Sequence, residues 1–255
     1  MAMSVSELKR SLRNLRLSGM VATLQARALQ VPSHEMAFIE AFSWLVQDEI
    51  DRRQSRLLER RFALSGLPER KLLKDLDWGY NPKVPKREVL QLGTLKFLDA
   101  KDDVLLIGPP GTGKSHVGKA LALLAVERGY KVMYREAHEL VGEIIEARAL
   151  GEIRKYRKAL RSVQLLVIDD LFLRALPRDA SEELTDVLMS RYEKSSTILT
   201  SNRPFDDWAK LLGDVVVLAP LLDRVMHHGH LLKFEGKSWR MKEAAARLAK
   251  KTHDA

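Results

Sequence analysis

The spacing of apolar residues changes along the chain, from helical spacing in the first part to short apolar runs in the second. Up to residue 75, apolar side chains recur every three or four positions, as in helices that bury one face. Beyond residue 100, β-rich runs alternate with amphipathic segments, which is typical of strands connected by helices. The segment between them is interrupted at Gly79, Pro82 and Pro85. We therefore expect a small all-helical N-terminal domain over residues 1–75 and an α/β domain over residues 76–255.

The N-terminal region is predicted to hold two helices. The first begins at Ser4, where Glu7 completes a capping box, and ends before Gly19. The second runs from about Ser33 to Phe62. Four of its apolar residues are spaced to bury one stripe, namely Phe38, Phe42, Leu45 and Ile50. We expect this stripe to pack against the rest of the domain.

Five short apolar runs in the second region are predicted to be β-strands. They are Val104–Ile107, Lys131–Tyr134, Gln164–Ile168, Ser196–Thr200 and His230–Phe234. Because helical segments separate them, the strands should lie parallel in one sheet that is covered by helices on both faces. The predicted fold class is therefore α/β.

The segment after the first predicted strand matches the phosphate-binding motif G-x-x-x-x-G-K-[ST], the P-loop. It consists of Gly108, Pro109, Pro110, Gly111, Thr112, Gly113, Lys114 and Ser115. An amphipathic helix predicted from His116 to Val126 follows, so the strand and the helix that the motif requires are both present. Glycines let backbone amides surround phosphate oxygens, while Lys114 would neutralise the β- and γ-phosphates and Ser115 would bind Mg²⁺. The motif predicts an ATP site that extends to His116.

Two carboxylates, Asp169 and Asp170, follow the buried strand at 165–168. Parallel strands end at one edge of a sheet, so both carboxylates should face the crevice that holds the P-loop. Asp169 would orient Mg²⁺ and its waters, and Asp170 would act as base or polarising group for the attacking water. A plain turn could also produce the pair, but the P-loop upstream favours the catalytic interpretation.

Composition narrows the class of protein. The absence of cysteine excludes disulfides, thiolate metal sites and a cysteine nucleophile. There is neither an apolar run long enough to span a membrane nor a secretory signal, so we expect a cytoplasmic protein without a membrane partner. Lys and Arg number 43 against 34 Asp and Glu, which gives a formal charge of +9 and makes nucleic acid a reasonable partner.

Two further segments resemble those of AAA+ ATPases. Ser196–Asn202 is similar to the sensor I strand, which implies that Asn202 holds the hydrolytic water against the γ-phosphate. Leu221–Arg224 resembles the segment that supplies an arginine finger to the next subunit, which implies that Arg224 acts in trans within a homo-oligomer. An ordinary surface role for Arg224 is the alternative. Asp170 stands where most AAA+ proteins have Glu, which leaves its competence as a base open.

Nearly the whole chain resembles the IstB family, the transposition helper ATPases of bacterial insertion sequences, which are related to DnaC-type helicase loaders. Besides the P-loop, the resemblance rests on Leu15–Met20, Ser196–Phe205, Asp223-Arg224, His227–His230 and Gly236–Arg240. The chain after Arg224 is too short for the helical lid of typical AAA+ proteins. The resemblance implies ATP and Mg²⁺ as cofactors, double-stranded DNA and a cognate transposase as partners, and Arg240 as a sensor II-like residue at the nucleotide.

Two basic stretches are predicted to contact DNA phosphates. The first lies at the end of the second helix and includes Arg52, Arg53 and Arg56, for which a solvated helix face is the alternative. The second lies on a helical stretch from Glu143 to Arg161, where initiator-type AAA+ proteins, which this chain resembles, place an extra helix that lines the DNA path. Its basic residues include Arg148, Arg154, Lys155, Arg157 and Lys158. Phosphate contacts carry no base information, so binding should be sequence-nonspecific.

His227, His228 and His230 form a second group of possible ligands. Adjacent histidines at a turn usually point in different directions, and no acidic or thiol residue flanks these in the sequence, so a zinc site is not expected. The adenine pocket is left open, although Leu76 and Trp78 precede the core at a suitable position.

The predicted function is an ATPase that multimerises on DNA and assists a transposase. A helicase loader built on the same ATPase core is the closest alternative. A small-molecule kinase would need a lid and acceptor-binding residues, and the sequence offers neither. A DNA-architectural protein that senses ATP without hydrolysing it is a third alternative, which phosphate release would distinguish.

Overall fold

The computed structural model describes residues 3–33, 37–173, 175–212 and 215–253. The chain divides into two compact units, Met1–Arg61 and Phe62–Ala255. The domain boundary predicted near residue 75 lies later in the sequence than this division. Residues 62–75 belong to the second unit, where His116 Nε2 lies 2.8 Å from the Leu72 carbonyl oxygen and Lys119 Nζ lies 3.2 Å from Glu69 Oε1.

Up to residue 65, the described part of the chain contains three helices where the sequence predicted two. They are α1 (Val5–Asn14), α2 (Ser18–Ser33) and α3 (Phe38–Ser65). The predicted capping box is present at the start of α1, where the Glu7 amide donates to Ser4 Oγ and the Ser4 amide donates to Glu7 Oε2. The helix breaks at Arg16, whose φ of 58° is left-handed. Because Arg has no special preference for that conformation, the sequence does not signal the break.

Glycine allows α2 and α3 to approach closely at Gly19. A Cβ at this position would lie 2.6 Å from the Cα of Glu49, closer than real atoms approach. The Gly19 amide donates to Glu49 Oε2 at 2.5 Å, and Arg27 donates two hydrogen bonds to Asp48 at 3.0 and 2.9 Å. Polar contacts therefore fix the crossing of these two helices.

The prediction that α3 buries an apolar stripe is wrong for the single chain. Phe38, Phe42 and Ile50 are 78%, 50% and 40% exposed, and Leu45 is half-buried. Spacing identifies which residues share a helix face but not which part of that face a neighbouring helix covers. Asp48 and Glu49 make hydrogen bonds to α2 farther along the helix.

The second unit is built on a five-stranded parallel sheet, and all five predicted strands are confirmed within a few residues of their predicted ends. The strands are β1 (Asp103–Ile107), β2 (Val132–Glu136), β3 (Leu165–Leu171), β4 (Ser196–Ser201) and β5 (Gly229–Lys233). Their order is β2-β3-β4-β1-β5. Successive residues of β3 and β4 point to opposite faces and both sets are buried, so helices cover the sheet on both sides.

Nine α-helices of the described chain belong to the second unit after residue 65. They are α4 (Lys86–Leu92), α5 (Lys96–Ala100), α6 (Lys114–Glu127), α7 (Ala137–Ala149), α8 (Ile153–Ser162), α9 (Arg178–Arg191), α10 (Phe205–Leu212), α11 (Val215–His227) and α12 (Trp239–His253). None of the helices in the described ranges combines the length and the apolar character that a membrane span needs.

The helix after the P-loop, α6, is buried on almost every side, so the prediction of an amphipathic helix is wrong here. Val117, Leu121 and Ala122 are fully buried, and α6 packs against β3 and β4. A helix in the interior of the unit has no solvent-facing side to require polar residues. Its N-terminus is thereby held at the carboxyl edge of the sheet.

Candidate functional site

The P-loop connects β1 to α6 and is held in place by the C-terminal part of the chain. Gly108 and Gly111 have φ angles of 146° and 76°, which favour glycine. A Cβ on Gly108 would lie 2.0 Å from the Phe234 carbonyl oxygen, and one on Gly111 would lie 2.1 Å from Ser238 Oγ. Glycine is therefore needed for the loop backbone to curl and for a second chain segment to lie against it.

Lys114 begins α6 and points into the crevice at the carboxyl edge of the sheet. Only 3% of it is exposed, and its ammonium group donates to the Pro109 carbonyl and to Asn202 Oδ1, both at 2.7 Å. Burial lowers the pKa of Lys114 to about 8, against the opposing effect of the charges on Asp170 and Asp169. A buried cation whose pKa is lowered in this way gains from an anionic ligand.

Asp169 lies at the end of β3 and is oriented by two hydroxyl groups. The Thr200 hydroxyl donates to Oδ1 at 2.5 Å and the Tyr134 hydroxyl donates to Oδ2 at 2.7 Å. Burial, followed by the negative charge of Asp169, raises the pKa of Tyr134 above its usual range, so its hydroxyl keeps its proton. The sequence analysis placed both residues in strands without assigning them to the site. Polar residues near the carboxyl ends of neighbouring parallel strands are the signal that could have found them.

Asp170 leaves the regular strand and turns toward Asn202. Its φ is 55°, and the register of β3 against β4 shifts at this point. Its amide donates to Thr200 Oγ1 at 2.9 Å, and Asn202 Nδ2 donates to its Oδ1 at 2.9 Å. Burial and the neighbouring Asp169 raise the pKa of Asp170, against the effect of Lys114. Asn202 therefore bridges the P-loop cation and the second carboxylate.

These residues line a cavity of about 680 Å³. Its lining includes the residues from Gly111 to His116, together with Asp169, Asp170 and Asn202. Ser115 is among them and offers a hydroxyl to the cavity. Residues that precede α4 and residues of the C-terminal segment also line the cavity, namely Leu76, Trp78, Tyr80, Asn81, Val84, Trp239, Arg240 and Glu243. Leu76 and Trp78, the two residues considered for the adenine pocket, are therefore in the cavity wall.

The C-terminal segment is held at the cavity by hydrogen bonds to Tyr80, Asn81 and the P-loop. Asn81 donates to the Lys237 carbonyl and accepts from the Lys237 amide, both at 2.9 Å, and the Tyr80 hydroxyl donates to the Ser238 carbonyl at 3.1 Å. The Trp239 amide donates to the Gly111 carbonyl at 2.9 Å. These contacts place Arg240 in the cavity, where its charge contributes to the lowered pKa of Lys114. The sequence analysis did not identify Tyr80 or Asn81.

Arg224 lies outside the cavity of its own chain. It is an exposed residue of α11, with its guanidinium carbon 5.8 Å from the centre of the Tyr192 ring and one nitrogen 3.3 Å from Met189 Sδ. An arginine finger that acts on a neighbouring subunit must lie on the surface of its own subunit. The predicted role in trans stays a prediction.

The basic residues predicted to contact DNA differ in how far acids of the same chain neutralise them. The predicted single helical stretch is wrong, because α7 and α8 are separated at Gly151, whose φ is 70°. Arg157 Nε lies 2.8 Å from Glu183 Oε2, and Arg148 lies 3.6 Å from Asp179. The exposed basic residues of α8 are Arg154, Lys155, Lys158 and Arg161.

In the first unit, the three predicted DNA-contacting residues also differ. Arg53 is paired with Glu49 at 2.6 Å, whereas Arg56 is exposed. The Nε atom of Arg52 is buried and has no hydrogen-bond partner in the part of the chain that the structure describes. DNA contact by these residues stays a prediction.

The arrangement of the histidine side chains differs from the one predicted from the sequence. His227 and His228 point to the same side, with ring centres 4.1 Å apart, and Glu193 lies beside them although it is distant in sequence. The expectation that adjacent histidines diverge and lack an acidic neighbour is wrong for this pair. His230 points elsewhere and lies 3.3 Å from Asp102.

Comparison with known proteins gives consistent matches. A family model described as IstB-like ATP binding protein matches residues 10–247. A protein of Geobacillus stearothermophilus, named as an ATP-binding protein of insertion sequence IS5376, is 33% identical over 90% of this chain and 91% of its own length. One of Pseudomonas aeruginosa, named as an ATP-binding protein of insertion sequence IS21, is 31% identical over 93% of this chain and 89% of its own length.

Among solved structures, AMPPCP-bound DnaA from Aquifex aeolicus is similar to this chain, with a TM-score of 0.55 and 27% sequence identity. The match covers 67% of this chain and 51% of that one, so this chain spans about half of the DnaA chain. The predicted fold, a P-loop AAA+ core with a parallel sheet between helices and a helical N-terminal region, is confirmed.

Proposed function

This chain belongs to the family of IstB-like ATP-binding proteins, and on that premise we propose that it is an ATPase that multimerises on DNA and assists a transposase. One observation carries the catalytic part of the proposal. The side-chain amide of Asn202 accepts from Lys114 and donates to Asp170, at 2.7 and 2.9 Å. This bridge holds a phosphate-binding cation and a carboxylate on either side of one amide group, where a γ-phosphate and its attacking water would meet.

The triphosphate is bound by the P-loop. Backbone amides of the glycine-rich loop and the N-terminus of α6 attract phosphate oxygens. Lys114 donates to two neutral oxygens, those of Pro109 and Asn202. Anionic phosphate oxygens are stronger acceptors for an ammonium group, so the ligand would draw Lys114 toward the β- and γ-phosphates.

The residues of the cavity fit a magnesium ion. The hydroxyl of Ser115 and the carboxylate of Asp169 line the same cavity, and oxygen donors of this kind are the ones that Mg²⁺ prefers. We propose that these two residues hold the ion. When bound, Mg²⁺ would neutralise charge that develops on the phosphate oxygens. Tyr134 and Thr200 fix the orientation of the Asp169 carboxylate through their hydrogen bonds.

Hydrolysis requires a water molecule aligned with the γ-phosphorus atom. We propose that Asn202 positions this water and that Asp170 accepts its proton as the new P–O bond forms and the bond to the β,γ-bridging oxygen breaks, which releases ADP and phosphate. The raised pKa of Asp170, caused mainly by burial, makes it a stronger base than an ordinary surface carboxylate. This offsets in part the shorter reach of Asp compared with Glu.

The remaining catalytic group comes from a second copy of the chain in this proposal. Arg224 is exposed and lies outside its own cavity, so it is free to approach the nucleotide of a neighbour in a homo-oligomer. A cation supplied in this way stabilises charge on the transferring phosphoryl group. ATP hydrolysis would then depend on assembly.

DNA and transposase are the proposed partners. The formal charge of +9 and the exposed basic residues of α8 support binding to the phosphate backbone of duplex DNA. The relatives that are 33% and 31% identical are named after insertion sequences, which supports a role beside a transposase rather than a replicative helicase. A pull-down of the protein with the replicative helicase and with the transposase would separate the two functions.

Phosphate release from ATP, measured with and without duplex DNA, tests the proposal. We expect phosphate release by the wild type. Asp170→Asn should bind ATP but release phosphate at a rate lower by about 10²–10⁴. The Asp170→Asn variant should remain bound to DNA, since its ATP persists. A wild type that binds ATP and DNA but releases no phosphate under any condition would instead be a nucleotide-sensing DNA protein.

A further inference from the structure

Three side chains converge where α11 ends, away from the nucleotide cavity. One ligand atom each from Glu193, His227 and His228 lie within 4.8 Å of one another. His228 Nε2 lies 3.4 Å from Glu193 Oε1, and the two imidazole rings are at 63° to one another. Among the described residues, no other three histidine or carboxylate side chains meet in this way.

The backbone on both sides of this cluster is tightly constrained. Glu193 follows the end of α9 with a φ of 59°, a left-handed conformation that is uncommon for a residue with a side chain. Before it, the buried guanidinium of Arg191 donates to the carbonyls of Leu160, Val163 and Ser196. These hydrogen bonds fix the position of Arg191, and therefore the start of the turn that carries Glu193.

The turn that carries the histidines is equally constrained. Gly229 begins β5 directly after His228, and a Cβ at this position would lie 2.0 Å from the Val225 carbonyl oxygen. Only glycine allows the chain to pass so close to the last turn of α11. The two imidazoles are held together at the helix end, where the helix dipole favours a cation.

Tyr192 orients one of the histidines. Its hydroxyl group lies 2.7 Å from Nδ1 of His227, so Nδ1 is engaged and Nε2 is left as the ligand atom. Metal-binding histidines ordinarily have such a partner on the nitrogen that does not bind the metal, because the partner fixes the ring and its tautomer.

We propose that Glu193, His227 and His228 form a binding site for a divalent transition metal ion, with zinc as the ion that suits the ligands best. Two imidazoles and one carboxylate are a ligand set that binds zinc in proteins and leaves a fourth position open. Imidazole ligands disfavour Mg²⁺ and Ca²⁺, so this site is chemically separate from the proposed magnesium site. The exposure of all three ligands gives the ion direct access from solvent.

Two other histidine–carboxylate pairs on the surface provide matched controls. His230 lies 3.3 Å from Asp102, and His138 lies 3.4 Å from Glu136. Each pair resembles His228 and Glu193 in distance, but among the described residues neither belongs to a group of three such side chains. If an exposed ion pair were all that the cluster represents, the three pairs would respond to metal in the same way.

Zinc binding to the full-length protein, free of any histidine tag and treated with chelator, tests the site. Calorimetric titration with ZnCl₂ should give one ion per chain, together with a metal-dependent rise in melting temperature. His227→Asn, His228→Asn and Glu193→Gln should each weaken zinc binding by at least about tenfold, and Tyr192→Phe by about tenfold. His230→Asn and His138→Asn should bind zinc like the wild type.

The site would be excluded by wild-type protein that takes up no zinc, or by a His227→Asn/His228→Asn double variant that binds it normally. Equal losses in the His230→Asn control would also exclude it. A second measurement needs no variant: paramagnetic Co²⁺ should broaden the ring proton signals of His227 and His228 and leave those of His138 sharp. Because the ligands lie outside the nucleotide cavity, these results do not depend on whether the protein hydrolyses ATP.

Discussion

Lys114 in the nucleotide cavity and Arg154 on α8 are both cations, but their surroundings differ. Lys114 is 3% exposed, donates to two protein oxygens and has a pKa that burial lowers to about 8. Arg154 is exposed on a helix where other basic residues are partly paired with acids. A buried charge depends on neighbours at fixed distances, whereas water and salt screen an exposed one. Substitutions in the cavity should therefore have large effects, and those on the surface small ones that accumulate.

Arg224 should be an exception to the expectation that surface substitutions have small effects. It is exposed in the single chain, yet Arg224→Ala should lower ATP turnover by about 10³ while ATP binding is retained, because arginine fingers in other NTPases contribute that much. Arg178→Ala is a suitable control, since Arg178 is an exposed helical arginine whose Nε lies 3.1 Å from Glu182 Oε1. Steady-state phosphate release and binding of an ATP analogue would measure the two effects.

Mixing two inactive variants would show whether Arg224 acts between subunits. Lys114→Ala chains bind ATP at least about 100-fold more weakly in this proposal but still carry Arg224, and Arg224→Ala chains bind ATP but lack the finger. A mixture should recover part of the activity, because one kind of chain completes the site of the other. Normal ATP turnover by Arg224→Ala alone would contradict the assignment of Arg224 as an arginine finger. There would then be no reason to expect that hydrolysis requires assembly.

Lys114→Ala is expected to give the largest effect on ATP affinity among the substitutions inside the cavity. It removes the cation that would bind the β- and γ-phosphates and that offsets the charges of Asp169 and Asp170. Loss of one partner of a buried charge pair typically costs about 2–5 kcal/mol, so ATP affinity should fall by about 100-fold or more. Calorimetric titration with a slowly hydrolysed analogue would measure it. Retention of wild-type affinity would mean that the P-loop does not hold the phosphates.

The lowered pKa of Lys114 predicts how ATP affinity depends on pH. Below pH 8 the free protein already carries the charged ammonium group, so binding requires no proton. Above pH 8 the free group loses its proton, and binding to phosphate must restore it, so affinity should fall by up to about tenfold per pH unit. Calorimetry in two buffers of different ionisation enthalpy should detect uptake of close to one proton at pH 9 and almost none at pH 7. Equal uptake at both would contradict the assignment.

Tyr134→Phe tests whether buried hydrogen bonds at Asp169 matter more than similar bonds at the surface. The variant leaves Oδ2 of a buried carboxylate without its donor, which should lower the free energy of unfolding by about 1–3 kcal/mol. Tyr130→Phe removes an equivalent 2.9 Å bond to Asp99 that is exposed, and should change stability by less than about 0.5 kcal/mol. Urea denaturation of both variants would compare them. Equal losses in the free energy of unfolding would show that the burial of Asp169 does not strengthen the contribution of its hydrogen bond.

The same contrast explains which features the sequence made predictable. The strands and the P-loop were predictable because apolar runs and a glycine-rich motif are local patterns with few alternative structures. The bridging contacts of Asn202 and the hydroxyl groups on Asp169 depend on which strands become neighbours. In the sheet, β3 lies between β2 and β4. That order brings Tyr134 of β2 and Thr200 of β4 to the carboxylate of Asp169 on β3.

The features that the sequence missed depend on packing between distant segments. Glu193 meets His227 and His228 only because α9 and α11 end at the same place, and a search along the sequence for flanking ligands cannot find it. The stripe of α3 shows the opposite case. The periodicity of Phe38 and Phe42 is real, but α2 contacts α3 farther along the helix, at Asp48 and Glu49, so both apolar residues stay exposed in the single chain.

Salt dependence of DNA binding offers the finest test of the surface charges. Each phosphate neutralised by a cation contributes about −0.9 to the slope of log K against log salt, so Arg154→Gln and Lys158→Gln should each reduce the steepness by about that amount. Arg157→Gln should change the slope less, because Glu183 at 2.8 Å already neutralises Arg157. Fluorescence anisotropy of a labelled duplex across salt concentrations would measure all three. If removing Arg157 changed the slope as much as removing Arg154, DNA must displace the acidic partner, and pairing within the chain would not distinguish contacting from non-contacting cations.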